Sequence, residues 1–328
     1  MRFLSGLSPR AVGIASAVIT VTIWTSFIVI ARASAGRSLG PFDLAFARIL
    51  GASIVLLPWG WWLVRSGRLQ GWLGLSPLSF RVTALIGLFG GLLYAMLCYS
   101  GFFFAPAAHA SVLMPGSLPL WTALLAAAFL KDRITPARAM GLVLIVAGDL
   151  LVGGTSLLQA FSGGEVWKGD LLFMTAAFCW SVYSVLARRF ALGAVHATIA
   201  LTVFAFVTYV PAFVLLTVLG LVPTQLTVAP LGEVLFQVVY QGMGSVVIAG
   251  ITFTAMIRYF GPVRSTMITA LVPGLSALSA VIFLGEPLHG HLLLGLGLVT
   301  GGILFGVRMA PVPAQSVAQP LNGSKDQG

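Results

Sequence analysis

The feature that most constrains this chain is the length of its apolar segments. Ten runs of roughly 20 apolar residues, the length that spans a bilayer as a helix, follow one another with short polar connections. They cover approximately residues 10–31, 42–64, 81–104, 107–130, 137–155, 169–187, 195–219, 231–257, 262–284 and 288–307. Lipid offers the backbone no hydrogen-bond partner, and the runs lack the alternation of barrel strands. The sequence therefore predicts an all-α polytopic membrane protein with ten transmembrane helices.

The composition excludes an ordinary soluble protein. Of the 328 residues, 59% are hydrophobic and 8% are charged, and the mean hydropathy is +1.03. Such a chain cannot present a polar surface to water on every side. We interpret residues 1–30 as a retained first helix rather than a signal peptide. The apolar run is too long, and no small-residue cleavage site with a polar mature start follows it.

Positive charge is distributed unevenly between the two sides of the predicted membrane. The formal net charge is +10. If the amino terminus is cytoplasmic, 14 of the 18 Lys and Arg residues fall on cytoplasmic segments, and the others are Arg32, Arg37, Arg48 and Lys168. This positive-inside pattern predicts a multi-pass protein of the plasma (inner) membrane with both termini in the cytoplasm. The charge thus orients the chain, and no nucleic-acid partner is predicted.

An internal repeat relates the two halves of the chain. The segments TIWTSFIVIAR (22–32) and FCWSVYSVLAR (178–188) both place an Arg eight residues after a Trp. At nearly the same offset, further residues correspond in the pairs Gly13/Gly169, Pro58/Pro211, Pro106/Pro262, Pro119/Pro273, Asp132/Glu286, Gly141/Gly295 and Gly148/Gly302. Chance coincidence of small residues and Trp is the alternative, but the nearly constant offset favours duplication.

The repeat predicts how the chain is organised. Residues 1–160 form a first five-helix repeat, residues 161–309 form a second, and residues 310–328 form a disordered cytoplasmic tail. Because five is odd, the second repeat enters the membrane from the opposite side, which makes the repeat inverted. Inverted repeats build secondary transporters that enclose a site near the midplane. We expect a monomer with two pseudo-symmetric halves.

Aromatic and neutral polar side chains lie deep within the predicted spans. Trp and Tyr usually collect at membrane interfaces, whereas deeper ones can line a pocket with a few polar groups. The polar stripe of helix 8, which includes Gln241 and Ser245, lies on one helix face and either bonds a neighbouring helix or lines a wet cavity. The candidate substrate-binding residues are Trp24, Tyr94, Tyr99, Trp121, Trp180, Tyr183, Tyr240, Gln241 and Ser245. Core packing is the alternative for each of them.

Ionisable groups are scarce at depth in the predicted spans. Most acidic residues fall at helix ends, and Asp149 lies about a turn and a half from the end of helix 5. Arg48, early in helix 2, is close enough to the interface to snorkel outward, with binding of a substrate carboxylate as the alternative. Coupling through a central carboxylate is therefore disfavoured. No catalytic residue, metal site or cofactor is predicted, because Cys98 and Cys179 have no partners at metal spacing and no His pairs with a nucleophile.

These features together resemble the drug/metabolite transporter superfamily, in its ten-helix EamA-type exporter branch. The resemblance rests on Trp24-Thr25-Ser26 and Trp180-Ser181 in the two halves, on Arg48, and on residues 273–288 at the end of helix 9. Within the branch the chain most resembles the YddG-type aromatic amino-acid exporters. It departs from the family pattern at Asp132, where Glu is usual, and in helix 7, which has no Arg corresponding to Arg48.

The resemblance implies a secondary transporter that exports amino acids, aromatic ones among them, or similar small metabolites by alternating access. Its partners would be a small-molecule substrate and the lipid bilayer, with no cofactor. The alternatives are a nucleotide-sugar or drug transporter of the same superfamily and, more remotely, a channel or a membrane-embedded enzyme.

Overall fold

The computed structural model describes residues 9–67, 71–269 and 271–308, and within these ranges it is built from helices without strands. The helices are α1 (Pro9–Ser34), α2 (Pro41–Ser66), α3 (Phe80–Phe102), α4 (Ala107–Leu130), α5 (Pro136–Ala160), α6 (Val166–Arg189), α7 (Ala194–Val218), α8 (Leu231–Gln237, Val238–Ile248 and Ala249–Thr269 in direct succession), α9 (Leu271–Leu284) and α10 (Gly290–Arg308). Eight are long and apolar enough to cross a membrane, and α9 and α10 are shorter apolar helices. The predicted fold class is confirmed. The predicted tail, 310–328, lies outside the described residues.

Two helix boundaries differ from the sequence prediction. Helix α8 continues through Gly261 and Pro262 to Thr269, whereas the prediction begins a new helix at residue 262. Proline removes one backbone donor but fixes a helical φ, so a long apolar helix can continue through it. Helix α5 extends to Ala160, five residues beyond the predicted end. Asp149 therefore lies near the middle of α5 rather than near its end.

Helix packing is symmetric between the two halves. Helix α1 packs against α8 and α9, and α6 packs correspondingly against α3 and α4. Helix α2 packs against α8, α7 packs against α3, and the pairs α2–α7 and α5–α10 each join counterpart helices. Exchanging every helix with the one five positions later leaves this set of contacts unchanged. The packing is that of an inverted repeat with a pseudo-twofold axis.

We name the two faces of the bundle after the arginines that the repeat pairs. The Arg32 face carries the α1–α2, α3–α4, α5–α6, α7–α8 and α9–α10 connections. There Thr224 of the α7–α8 connection donates a 2.6 Å hydrogen bond to Asp43 near the start of α2, and Glu286 after α9 bonds α4. The Arg188 face carries the α2–α3, α4–α5 and α6–α7 connections, and Arg188 bonds Asp132 there.

The two halves approach most closely where glycine takes the place of a larger residue. A Cβ atom on Gly51 of α2 would lie 1.9 Å from the carbonyl oxygen of Val238 in α8, and one on Gly242 would lie 2.5 Å from the backbone of Gly51. A Cβ atom on Gly148 of α5 would lie 2.6 Å from the carbonyl oxygen of Gly295 in α10. Helices in lipid gain little from the hydrophobic effect when they associate, so close backbone packing stabilises these crossings.

Three helices contain π-helical segments: Gly87–Leu93 in α3, Val112–Gly116 in α4 and Val238–Ile248 in α8. A π turn holds more residues than an α turn and frequently occurs at functional sites. In α4 the segment includes Pro115, which lacks a backbone donor and so interrupts the α-helical hydrogen-bond pattern there. Helices α3 and α8 are counterparts in the repeat, so the duplication includes their π segments.

The Gly51 crossing gives the first testable prediction. Gly51→Ala places a methyl group against the α8 backbone, where only movement of a whole helix can make room, and we expect a loss of at least about 2 kcal/mol of stability. Gly297→Ala in α10 is the control, because its Cβ would meet nothing within 4 Å. Thermal unfolding in detergent, followed by size-exclusion chromatography, measures both variants. Equal melting temperatures for the two would contradict the described crossing.

Candidate functional site

A cavity of about 460 Å³ lies between the two halves, within the range of volumes that hold small-molecule ligands. Its described lining comes from α1, α2, α3, α4, α6, α7, α8 and α9, while α5 and α10 contribute none of it. The lining thus uses four helices of each half, and the outlying α5–α10 pair joins the halves beside it.

The cavity reaches one face of the bundle and stops short of the other. Ala187, Leu192 and Ala194 line it at the α6–α7 connection, which belongs to the Arg188 face. Towards the Arg32 face, Tyr99 and Phe102 of α3 are fully buried, with 0% exposure. Among the described residues, no lining residue comes from a connection of the Arg32 face. The bundle is therefore open at the Arg188 face and closed at the Arg32 face.

Aromatic rings form part of the cavity wall. The rings of Tyr94 and Trp180 have centroids 4.8 Å apart, and those of Trp180 and Tyr183 are 5.1 Å apart. A second pair, Trp24 and Phe253, has centroids 5.0 Å apart and joins α1 to α8. All three contacts are tilted, a geometry that aromatic pairs favour. The wall can hold an apolar ring against fixed aromatic surfaces.

Arg48 places its guanidinium beside this wall. The sequence favours snorkelling to the interface, but the side chain lines the cavity instead. Its Nη1 donates a 3.1 Å hydrogen bond to Ser245 Oγ, and its Cζ lies 5.5 Å from the Phe27 ring centroid and 5.9 Å from that of Tyr94. These cation–π contacts and the Ser245 bond fix the guanidinium inside the bundle.

Five of the predicted substrate-binding residues line the cavity: Trp24, Tyr94, Trp180, Tyr183 and Ser245. They come from α1, α3, α6 and α8, and the fold brings them together around one space. Their contact with a substrate remains a prediction.

The other four predicted residues are absent from the described lining. Tyr99 is fully buried, and Trp121 packs edge-on against Phe178 at 5.4 Å. Tyr240 forms a hydrogen bond with Ser26 of α1. The fourth, Gln241, is fully buried in α8. Their orientation around the helix axis directs these side chains into helix contacts, and their contact with a substrate remains a prediction.

The polar stripe of α8 bonds mainly to neighbouring helices. Gln237 Nε2 donates to Ser34 of α1 at 2.7 Å, and the Nε2 of Gln241 donates to Gln237 at 3.1 Å. Farther along, Thr252 shares a 2.8 Å hydrogen bond with Thr20 of α1. Of the two alternatives for this stripe, interhelical bonding accounts for both ends, and Ser245 alone among its members lines the described cavity.

Most of the other lining residues were not predicted as site residues, among them Phe253, Thr198 and Met114. Phe253 lies eight residues after Ser245, a helical spacing that is visible in the sequence. Thr198 and Met114 carry no such signal, because hydroxyl and Met side chains are common in the core of a helical bundle.

At the Arg32 face, one ion pair connects four helices. Arg32 Nε at the end of α1 donates to Glu286 Oε1 at 2.7 Å, and Arg32 Nη1 donates to the carbonyl oxygen of Phe102 at 2.7 Å. Glu286 Oε2 accepts a 2.9 Å hydrogen bond from the backbone N–H of Ala107 at the start of α4. The two charged side chains therefore tie α1, α3, α4 and α9 together where the cavity is closed.

The Arg188 face holds the counterpart ion pair. Arg188 and Asp132 are the residues that the repeat matches to Arg32 and Glu286, and two bonds of 2.5 and 3.0 Å join them. This pair is more exposed, with side-chain exposures of 61% and 24% against 31% and 14% for the first. The Arg188 guanidinium holds the pKa of the Asp132 carboxyl below its ordinary value. The pair therefore remains charged at neutral pH and is lost only as the pH falls through that lowered pKa.

Three acidic side chains are buried among the described residues: Asp43, Asp149 and Asp170. Asp149 of α5 is 7% exposed, and neither of its carboxyl oxygens has a hydrogen-bond partner among the described residues. The carboxylate of Asp170 in α6 and Nδ1 of His109 in α4 form a 2.9 Å hydrogen bond. The prediction that Asp149 lies about a turn and a half from the end of helix 5 is therefore wrong, because α5 extends to Ala160. It followed from the short predicted span of helix 5.

Comparison with known proteins identifies similar sequences and a similar fold. The profile of the EamA-like transporter family matches residues 11–154 and again residues 167–308. The uncharacterized transporter YyaM of Bacillus subtilis is 25% identical over 73% of this chain and 75% of its own. The aromatic amino acid exporter YddG of Ancylobacter novellus is 28% identical over 80% of this chain and 81% of its own. A solved crystal structure matches with a TM-score of 0.57 and 26% identity, over 89% of this chain and 95% of its own.

Chemical labelling tests the one-sided opening of the cavity. In a variant with Cys98 and Cys179 replaced by Ala, we expect Thr198→Cys to react with a small, hydrophilic thiol reagent, because Thr198 lines the cavity. Ile199→Cys is the matched control, since Ile199 is 0% exposed and should stay unmodified. The reagent should act only when it is supplied at the Arg188 face of protein reconstituted in vesicles. Equal labelling from both faces would contradict the closed Arg32 face.

Proposed function

This chain belongs to the EamA-like transporter family, and we propose that it exports small amphipathic metabolites, with aromatic amino acids among the candidates, by alternating access through the central cavity. Family membership indicates a transporter rather than an enzyme. One observation carries the proposal, namely a cavity between the halves that is open to one face and closed to the other. That is the geometry of one end state of an alternating-access cycle.

The two counterpart ion pairs supply the closing contacts in this proposal. The present structure is closed by the four-helix network around Arg32 and Glu286. In the opposite state, the pseudo-twofold relation assigns the closing role to Arg188 and Asp132, and the Arg32 face opens. The substrate site near the midplane is then exposed to each side in turn, as two similar bundles rock about it.

The orientation in the membrane completes the proposal. The positive-inside pattern assigns the Arg188 face to the cytoplasm, with both termini on that side and the protein in the plasma membrane. The open cavity then faces the cytoplasm, as the loading step of an exporter requires. We further propose that each half, 1–160 and 161–309, is one repeat of a functional monomer, because the two repeats together line the described cavity.

Two observations support an aromatic or similarly amphipathic substrate. The cavity wall holds the Tyr94–Trp180–Tyr183 ring series. The similar protein of Ancylobacter novellus is named an aromatic amino acid exporter. We propose Trp24, Tyr94, Trp180, Tyr183 and Ser245 as the substrate-contacting set.

Removal of one ring tests the substrate site. Trp180→Ala deletes two ring contacts from the wall, and since an aromatic contact contributes about 0.5 to 1.5 kcal/mol, we expect roughly a tenfold loss of counterflow in liposomes. Trp62→Ala is the matched control, because Trp62 is 58% exposed on the outside of the bundle. We expect this variant to transport normally. Both variants should elute as the native protein does in size-exclusion chromatography. Unchanged flux through Trp180→Ala would remove this residue from the site.

Neutralisation of one charge tests the closing contact. Glu286→Gln keeps the shape of the side chain but removes the ion pair with Arg32. The Arg32 face should therefore open more often. Ala107 is fully buried, so Ala107→Cys should react slowly with an impermeant maleimide added at the Arg32 face. In the Glu286→Gln background we expect this reaction to be about fivefold faster, because loss of the ion pair changes the opening equilibrium by about 1 kcal/mol. Asp132→Asn should not accelerate that reaction. If it accelerates labelling as much as Glu286→Gln does, the assignment of the ion pairs to separate faces is wrong.

A further inference from the structure

Charge inside the cavity is carried by a single group. Among the described lining residues, Arg48 is the only one that is ionised at neutral pH, and the rest are apolar, aromatic, hydroxyl-bearing or Gly residues. The guanidinium cannot lose its proton in a protein. The cavity therefore keeps a positive charge at every physiological pH.

That charge has no acidic partner in the described part of the chain. No Asp or Glu oxygen there lies within 4.0 Å of the Arg48 nitrogens, although three Arg or Lys ion pairs and one His–Asp contact meet this limit. The Arg48 guanidinium has five N–H donors, and in the described structure one of them forms a hydrogen bond, to Ser245. The guanidinium thus retains donors for a further acceptor at the cavity surface.

The rings beside Arg48 compensate its charge only in part. Phe27 and Tyr94 present their faces at 5.5 and 5.9 Å, distances at which cation–π attraction is weaker than an ion pair. A charge away from bulk water is unfavourable until it is paired. Since the described wall offers no anion, we expect the molecule that enters the cavity to bring one.

From this arrangement we propose that the transported substrate is an organic monoanion, a carboxylate joined to an apolar ring-bearing body and without an amino group. The inference rests on the proposed transport function and names the substrate class of the same site. The carboxylate accepts paired hydrogen bonds from the Arg48 guanidinium, a geometry that suits arginine. The ring lies against Tyr94 and Trp180, whose adjacent rings offer an apolar surface.

An amino acid zwitterion fits this cavity less well. Its ammonium group would lie next to its carboxylate and therefore close to the guanidinium, where like charges repel each other. The described wall has no carboxylate to bind that ammonium, and it offers instead neutral hydroxyls such as those of Ser184, Thr198 and Thr202. A cationic amine lacks even the carboxylate and should be rejected. The expected order of affinity is monoanion, zwitterion, cation.

Three probes with the same ring separate these charge classes: 3-phenylpropanoate, phenylalanine and 2-phenylethylamine. We expect 3-phenylpropanoate to bind the full-length protein at least tenfold more tightly than phenylalanine, by quenching of tryptophan fluorescence in detergent, and to show the fastest protein-dependent counterflow in liposomes. Arg48→Lys keeps a positive charge and should retain the order with reduced affinity. Arg48→Met should remove the preference for the anion, with binding of the three probes converging.

The outcomes separate this inference from the proposed function. Exchange of phenylalanine as fast as, or faster than, that of 3-phenylpropanoate would overturn the monoanion inference and leave the transporter function intact. The same holds if Arg48→Met elutes as a folded protein and still prefers the anion. Absence of binding and exchange for all three probes would overturn both proposals.

Discussion

Close backbone contact between the two halves is the constraint on which the rest of the structure depends. Gly51 and Gly242 allow α2 and α8 to touch, and Gly148 and Gly295 do the same for α5 and α10. Lipid leaves van der Waals packing and hydrogen bonding to hold helices together. The halves also pack against each other through α1, α3, α6 and α7, and the space left between them is the cavity around Arg48.

Much of the architecture can be predicted from the sequence because its signals are local. Apolar length gives the helices, and the matched pairs Trp24/Trp180, Gly148/Gly302 and Asp132/Glu286 give the repeat. The structure adds that matched residues make matched contacts, since Asp132 and Glu286 each bond the arginine of the opposite half of the chain. That step needs the tertiary arrangement, because each bond joins helices that are not neighbours in the chain.

The candidate site was less predictable for a physical reason. Depth follows from residue number, but the direction of a side chain depends on the rotation of its helix, and the π segment of α8 alters that rotation between Val238 and Ile248. Tyr240 and Gln241 lie within this segment and point into helix contacts, while Ser245 reaches the cavity. Arg48 has a sequence position suited to snorkelling, and only its neighbours Phe27, Tyr94 and Ser245 explain why it turns inward.

The unequal surroundings of the two ion pairs affect how the molecule responds to dissolved electrolyte. Mobile ions screen an exposed pair such as Arg188–Asp132 more strongly than the partly buried Arg32–Glu286 pair with its two backbone bonds. Higher ionic strength therefore weakens the Arg188–Asp132 pair more than the Arg32–Glu286 pair. Under the proposed alternating-access cycle, concentrated salt would therefore shift the equilibrium towards the conformation sealed by Arg32 and Glu286.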